Sequence, residues 1–300
     1  MAHDESDGVQ GTTALTARPC GVVVDGSAAL PEDLDSGLAV VPVRIRIGDQ
    51  EFVDCGDANQ YALFYERLRA GEAPITSTPS PGEYLEAFRR NPAPEVVCLT
   101  IPERWSGMFG AASVAADMLE QEEGRRRVRV VETEAAAVSL GLIARVAARL
   151  AQAGSDTAVI TDSVRRAGAE VRMYGSLATL TYVARSGRVP ALIAGISNTL
   201  HVRPVFRMQG GETGRVALAR TTSGVLDALG KVAAETFGAV PQQVLVFHAD
   251  AVDGATQLAA RLERELQIAR CDVVALSPIA GAYTGPGAFG FASLPAAFAA

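Results

Sequence analysis

Residues 96–131 read VVCLTIPERWSGMFGAASVAADMLEQEEGRRRVRVV, and this pattern predicts a strand, a helix and a second strand in succession. Residues 96–100 form a short apolar run of the kind that makes a buried strand. Small and apolar residues then recur at helical spacing from Met108, and Ser106 stands where a helix N-cap is expected. Three of the residues 128–131 (VRVV) are again apolar and β-branched. A unit of this kind joins neighbouring strands of a parallel sheet.

The same alternation extends over the N-terminal half of the chain. GVVVD at residues 21–25 predicts a buried strand, residues 40–47 predict another, and residues 51–53 are a candidate return strand of a hairpin. The stretch APITSTPSPG at residues 73–82 predicts a polar loop. Helices are predicted at residues 60–69, 82–90 and 139–153. The order of elements predicts a parallel sheet with helices on both faces.

The C-terminal half has a different pattern. Residues 201–208 and 216–220 predict two strands joined by a turn with three glycines, and such a pair is antiparallel. Residues 281–290 are rich in glycine and residues 296–300 are expected to fray. Further helices are predicted at 156–168, 177–185, 223–237 and 251–266, and further strands at 243–248 and 272–276. The chain is therefore expected to be an α/β protein, with an N-terminal parallel sheet flanked by helices and a C-terminal α/β domain with antiparallel strands.

Length and composition bound the class of protein. The 300 residues suffice for two packed domains, expected at residues 18–165 and 166–300 after a disordered leader at residues 1–17. The net charge of −7 argues against nonspecific nucleic-acid binding. No apolar run reaches the roughly 18 residues of a membrane span, and the polar start is unlike a signal peptide. We therefore expect a cytoplasmic protein without stable membrane insertion.

Signatures of common enzymes and metal sites are weak or missing. The segment GPGAFG at residues 285–290 matches the spacing of a dinucleotide fingerprint, but the sequence ends ten residues later and offers no following helix. There is no nucleophile elbow, phosphate loop or zinc-protease motif. The histidines are His3, His201 and His248, and the last two are expected at strand ends. Cysteines 20, 55, 98 and 271 are too scattered for a structural zinc site.

Two polar clusters are candidates for binding an anion. Residues 76–80 (TSTPS) form a hydroxyl-rich segment between prolines, and Ser106–Gly107 precede a predicted helix. Free amides at a helix N-terminus together with small hydroxyls can hold a carboxylate or a phosphate. The alternative is that the first segment is only a turn and Ser106 only a cap. Spacing alone does not decide between these interpretations.

Several segments, in order along residues 21–290, resemble motifs of the DegV family. The opening VDGSAALP at residues 24–31 is similar to the family's D-S-T-x-x-L-P, and TSTPSPG at residues 76–82 is similar to T-S-Q-P-S-P-G. WSGMF at residues 105–109 and YTGPGA at residues 283–288 resemble L-S-G-T-Y and H-T-G-P-G-A. The remaining likenesses are the segment from Leu180 to Gly187-Arg188, LHVRPV at residues 200–205, and Arg220.

The resemblance implies a non-enzymatic protein that encloses one long-chain fatty acid between two α/β domains. It further implies a fatty acid kinase as partner and no cofactor other than the bound acid. By similarity, Thr76, Ser77 and Ser106 would face the carboxylate. The other ligand-binding residues implied are Gly107, Tyr283, Thr284 and Arg188, the last with a role at the head group or in docking a partner, or simply in a surface ion pair.

The sequence departs from the family pattern at the expected head-group site. Tyr283 replaces the family histidine, so this position can donate a hydrogen bond but cannot carry a positive charge. Thr78 replaces the family glutamine, and residues 102–103 (PE) replace a common Ser-Ser pair. Two rival functions also fit the residues: a hydrolase or acyl transferase with Ser106 as nucleophile, and a regulatory protein that senses a lipid. The first requires a base within hydrogen-bond reach of Ser106.

Overall fold

A computed structural model describes residues 18–31, 34, 38–53, 58–187 and 202–299. Its first sheet has four strands in the order β2-β1-β6-β7, and all neighbouring pairs are parallel. This confirms the parallel sheet predicted from the strand–helix alternation. The strands are β1 (Cys20–Asp25), β2 (Leu38–Val41), β6 (Glu95–Thr100) and β7 (Val128–Glu132).

A small antiparallel sheet lies beside the first one. Its strands, in the order β4-β3-β5, are β3 (Arg44–Ile47), β4 (Gln50–Val53) and β5 (Pro74–Ser77). The prediction of one strand over residues 40–47 was wrong, because the chain leaves the first sheet at Pro42, which has no amide hydrogen for a sheet ladder. The loop predicted at residues 73–82 was also partly wrong, since β5 pairs with β3.

The second sheet has six strands in the order β10-β9-β8-β13-β11-β12. The pair β11–β12 is parallel and the other neighbours are antiparallel, including the predicted β9–β10 hairpin. Two of its central strands, β8 and β13, were not predicted. The strands are β8 (Arg172–Ser176), β9 (Arg203–Gln209), β10 (Glu212–Ala219), β11 (Gln242–His248), β12 (Ile268–Ala275) and β13 (Phe289–Pro295).

Nine helices in the described residues surround these sheets. The prediction at residues 177–185 was displaced, and the short helix before β13 was missed. Residues 296–299, expected to fray, form a 3-10 helix. The helices are α1 (Ala58–Arg69), α2 (Pro81–Arg90), α3 (Met108–Glu123), α4 (Ala137–Gln152), α5 (Thr157–Glu170), α6 (Thr181–Ser186), α7 (Thr222–Phe237), α8 (Val252–Glu265) and α9 (Pro278–Thr284).

Helix α4 packs against both large sheets. It packs against β1 of the first sheet and against β8, β11 and β13 of the second, and 12 of its residues are buried. A helix that is apolar on nearly all sides is stable only when it is enclosed. Its buried Arg145 forms an ion pair of 2.5 Å with Asp272 on β12, which ties α4 to the second sheet.

All strands of the first sheet precede α5, and all strands of the second sheet follow it. The predicted domain boundary between residues 165 and 166 lies inside α5, and the division into two domains remains a prediction. Among the described residues, no helix combines the length and apolar character needed to cross a membrane. The same residues contain no group of three His, Cys, Asp or Glu side chains placed to hold a metal ion.

Candidate functional site

A cavity of about 190 Å³ lies at the carboxyl ends of β1 and β6 and is covered by the second sheet. The carboxyl ends of parallel strands are the usual binding edge of an open α/β sheet. Most of the side chains around the cavity are apolar. Those from the strands, helices and loops that enclose it are Val43, Ile101, Trp105, Met108, Ala136, Ala137, Met173, Leu177, Val183, Phe206, Met208, Ile279 and Ala280.

The floor of the cavity is one face of the second sheet. Met173 and Leu177 come from β8 and the residue after it, and Phe206 and Met208 from β9. Side chains two residues apart on a strand point to the same face, which explains why these four line one space. They lie far apart in the sequence and in no motif, so sequence analysis missed them.

Hydroxyl groups gather at one side of the cavity. The Thr76 hydroxyl and the Tyr283 phenol lie 2.8 Å apart and share a hydrogen bond that joins β5 to α9. The hydroxyls of Thr78 and Ser106 lie 3.4 Å apart. We call this group the hydroxyl cluster, and it consists of Thr76, Ser77, Thr78, Ser106 and Tyr283.

The structure brings together most of the residues named from the sequence. Thr76, Ser77, Ser106, Tyr283 and Thr284 all line the cavity. The Thr284 hydroxyl donates a hydrogen bond of 3.0 Å to the Ala280 carbonyl, so that donor is already used within α9. Gly107 borders the cluster, since a Cβ atom there would lie 3.8 Å from the Thr78 methyl group. Arg188 lies outside the described residues. The binding role of all these residues remains a prediction.

Ser106 is not the N-cap of α3, contrary to the sequence prediction. The helix begins at Met108, its N-cap is Gly107, and no side chain caps it. Ser106 lies one residue before the cap, where its hydroxyl faces Thr78. The hydroxyl therefore remains in the cavity wall instead of being consumed by the first helical turn. The uncapped amides of α3 begin beside the same cluster.

The cavity wall is neutral over the described residues. Its described lining contains no Asp, Glu, Lys, Arg or His side chain. A carboxylate can still be held here, because hydroxyl and amide donors stabilise an anion without an ion pair. The wall thus suits an amphiphile with a long apolar part and a small polar head.

A buried carboxyl group lies directly behind this wall. Asp25, at the end of β1, accepts hydrogen bonds from the backbone amides of Ser27 at 2.9 Å and Ile101 at 2.8 Å, and from the Ser27 hydroxyl. Ser27 and Ile101 both line the cavity. Burial raises the pKa of Asp25, and the hydrogen bonds from Ser27 and Ile101 oppose that shift. Asp25 thereby fixes the strand ends that form this part of the wall.

The enzyme alternative finds no base beside Ser106 in the described part of the chain. The hydroxyl neighbour of Ser106 is Thr78, and His248, at the end of β11, does not line the cavity. Burial lowers the pKa of His248, which favours the neutral ring. His201 lies outside the described residues. The glycine-rich segment at residues 285–290 leads into β13 and not into a helix, so it lacks the geometry of a dinucleotide site.

Comparison with known proteins supports the resemblance noted in the sequence. A family model described as an uncharacterised protein of the DegV family matches residues 19–296. The chain belongs to the DegV family. A DegV domain-containing protein of Streptomyces coelicolor is 33% identical over 282 residues, covering 91% of this chain and 98% of its own.

Solved DegV structures share the whole fold. A DegV family protein from Thermus thermophilus, described for its fatty acid binding, superposes with a TM-score of 0.83 at 25% identity, covering 92% of this chain and 99% of its own. The Fatty Acid Kinase (Fak) B3 protein of Streptococcus pneumoniae, loaded with linoleic acid, gives a TM-score of 0.80 at 19% identity, covering 92% and 99%. The second likeness concerns the fold alone.

Proposed function

We propose that this DegV protein binds one long-chain fatty acid, with the acyl chain in the apolar cavity and the carboxylate at the hydroxyl cluster. The observation that carries the proposal is a largely apolar cavity with neutral hydroxyls at one side. The fatty acid binding described for the Thermus thermophilus relative supports the same class of ligand.

The tail is expected to supply most of the affinity. Burial of apolar surface contributes about 0.8 kcal/mol per methylene. An acid with about 15 methylenes therefore offers roughly 12 kcal/mol before the cost of ordering the chain is subtracted. The hydroxyl cluster then fixes the direction of the acid. Thr76 and Ser106 are the expected head-group donors. Tyr283 and Thr78 are each within hydrogen-bond distance of one of them and would join them.

The protein is proposed to act in the cytoplasm as a carrier. In this role it presents the carboxylate of the bound acid to a separate fatty acid kinase. This step rests on the family resemblance and on the name of the Streptococcus pneumoniae neighbour. Within the described residues the cavity offers no phosphate-binding loop and no base next to Ser106. A carrier needs neither group, whereas a kinase needs a site for the phosphates and a serine hydrolase or acyl transferase needs the base.

Mass spectrometry of the purified protein tests the proposal directly. The protein is denatured, extracted with organic solvent and compared with a mock purification. We expect about one long-chain acid per chain. The proposal would be contradicted if the extract contains no fatty acid and the purified protein also fails to bind added octadecanoic acid.

The paired change Thr76→Val and Ser106→Ala is expected to lower affinity for octadecanoic acid by at least tenfold. Each change removes one donor from the same carboxylate, and a hydrogen bond to a charged group contributes about 1.5–3 kcal/mol. Titration calorimetry gives the dissociation constants. The matched control is Thr256→Val on the exposed side of α8, which is not part of the cavity wall. Equal affinity of the double variant and the control would show that the head group lies elsewhere.

Replacing Tyr283 by histidine is expected to make acid binding depend on pH. A histidine has an ordinary pKa of about 6.5, so its ring becomes cationic as the pH falls from 8 to 6 and then attracts the carboxylate. We expect affinity relative to the unmodified protein to rise about tenfold over this range. Binding measured at pH 6, 7 and 8 checks the result. Tyr283→Phe serves as the control, with weaker binding and no added pH dependence.

A further inference from the structure

Two phenylalanines and two glycines form one row across the second sheet. Phe206 on β9 pairs with Gly175 on β8, Gly175 pairs with Gly290 on β13, and Gly290 pairs with Phe247 on β11. Directly paired residues of antiparallel strands project to the same face. The row therefore has a ring at each end and no side chain at the two central positions.

Both rings extend over the position that lacks a side chain. A Cβ atom built on Gly175 would lie 2.6 Å from Cζ of Phe247, and 2.8 Å and 3.0 Å from Cζ and Cε1 of Phe206. Real carbon atoms do not approach so closely without a shift, since contact begins near 3.5 Å. The missing side chain at residue 175 thus leaves the space that the Phe206 and Phe247 rings occupy.

The two rings differ in what surrounds them. Phe206 lines the cavity floor together with Met208, two residues further along its own strand, and Met173 on β8. Phe247 is 1% exposed and does not line the cavity, so it is packed on all sides. Close-packed interiors resist displacement, while a side chain next to a void can move into it. Any atom added at residue 175 will therefore displace the Phe206 ring towards the cavity.

We propose that Gly175 determines which acyl chain lengths the cavity accepts, by setting how far the Phe206 ring stands from the sheet. This inference rests on the proposed function. A larger residue at 175 raises the ring, removes volume from the cavity and selects shorter acids. A smaller residue at 206 has the opposite effect. The specificity of the cavity is thus set from the sheet beneath it as well as by the residues in its wall.

Competition between tetradecanoic and octadecanoic acid tests the inference. The two acids are mixed with stripped protein, and the bound ratio is read by mass spectrometry. We expect Gly175→Ala to lower the ratio of the longer to the shorter acid by about fourfold for each methylene excluded. Phe206→Leu should raise the ratio, and the double variant should return close to the unmodified protein.

The matched control is Gly214→Ala on β10, where a Cβ atom would meet nothing within 4 Å. It should leave the ratio unchanged. If Gly175→Ala does not fold, Phe206→Leu alone decides, and an unchanged ratio there overturns the inference. An unchanged ratio in a folded Gly175→Ala protein also overturns it, while the proposed function stands. If the unmodified protein binds neither acid, the proposed function and this inference both fail.

Discussion

Replacing Asp25 by alanine is expected to lower the free energy of unfolding by about 3 kcal/mol. The change leaves the amides of Ser27 and Ile101 without their acceptor in a buried place, and each unpaired buried donor costs about 1–3 kcal/mol. Relief from burying the carboxyl group offsets part of this cost. Denaturation in urea, fitted to a two-state transition, gives the value. A loss below about 1 kcal/mol would show that water or rearranged groups satisfy these amides.

The variant Asp25→Asn isolates the ionisable group. Because burial raises the pKa of Asp25 in the folded protein, its stabilising contribution is complete below the ordinary value of 3.8 and is lost as the pH rises through the raised folded pKa. The unmodified protein should therefore gain stability relative to Asp25→Asn as the pH falls from 7 towards 4. Parallel urea titrations at several pH values check the sign. A constant difference between the two proteins would contradict the raised pKa.

Replacing Asp272 by alanine is expected to destabilise the fold by about 3 kcal/mol. The change removes the carboxylate that pairs with the buried guanidinium of Arg145, and removing one member of a buried ion pair costs about 3–5 kcal/mol. Asp272 also accepts hydrogen bonds from Arg270 on the same strand, at 2.8 Å and 3.0 Å. Calorimetric melting and urea denaturation measure the loss, which should affect the whole protein because α4 packs against both large sheets.

The control for this prediction is Asp227→Ala. Asp227 pairs with Arg261 at 2.8 Å, but its side chain is 70% exposed. Exposed ion pairs contribute about 0–1 kcal/mol, so the loss should stay below that of the buried pair.

Burial alone would raise the pKa of Asp272, and its bonds with Arg270 and Arg145 lower it on balance. The stabilisation by Asp272 is therefore present above pH 3.8 and is lost as the pH falls through the lowered pKa. Equal losses of unfolding free energy in Asp272→Ala and Asp227→Ala would contradict the role assigned to Asp272.

Local patterns in the sequence predicted the first sheet well. Buried parallel strands such as β1 and β6 are continuous apolar runs, and α2 begins at a proline, which is tolerated in the first turn of a helix. The pattern failed at Pro42, where an unbroken apolar run continues while the backbone changes sheets. It also failed at β13, because glycines before the strand are typical of a loop. Gly290 is in fact required there, since a side chain would meet the backbone of β8.

The candidate site was only half visible in the sequence. The polar residues lie in short motifs, so the sequence alone indicates Thr76, Ser106 and Tyr283. The apolar floor was hidden because Met173 and Phe206 look like ordinary strand residues, and only the pairing of β8 with β9 places them together. Ser27 is not among the predicted site residues, although it lies in the segment VDGSAALP that resembles a family motif. The geometry of the ends of β1 and β6 gives that segment its role.

The enclosed helix α4 limits how a molecule can enter the protein. Because α4 contacts both large sheets, separating the two sheets would expose apolar surface of α4 to water. At about 25 cal/mol for each square ångström, such an opening would be rare. A ligand is therefore expected to enter and leave through a narrow opening between β5 and α9, where the hydrogen bond between Thr76 and Tyr283 joins the two elements. A bound ligand would dissociate slowly, and its transfer would require a second molecule that binds at this opening and separates β5 from α9.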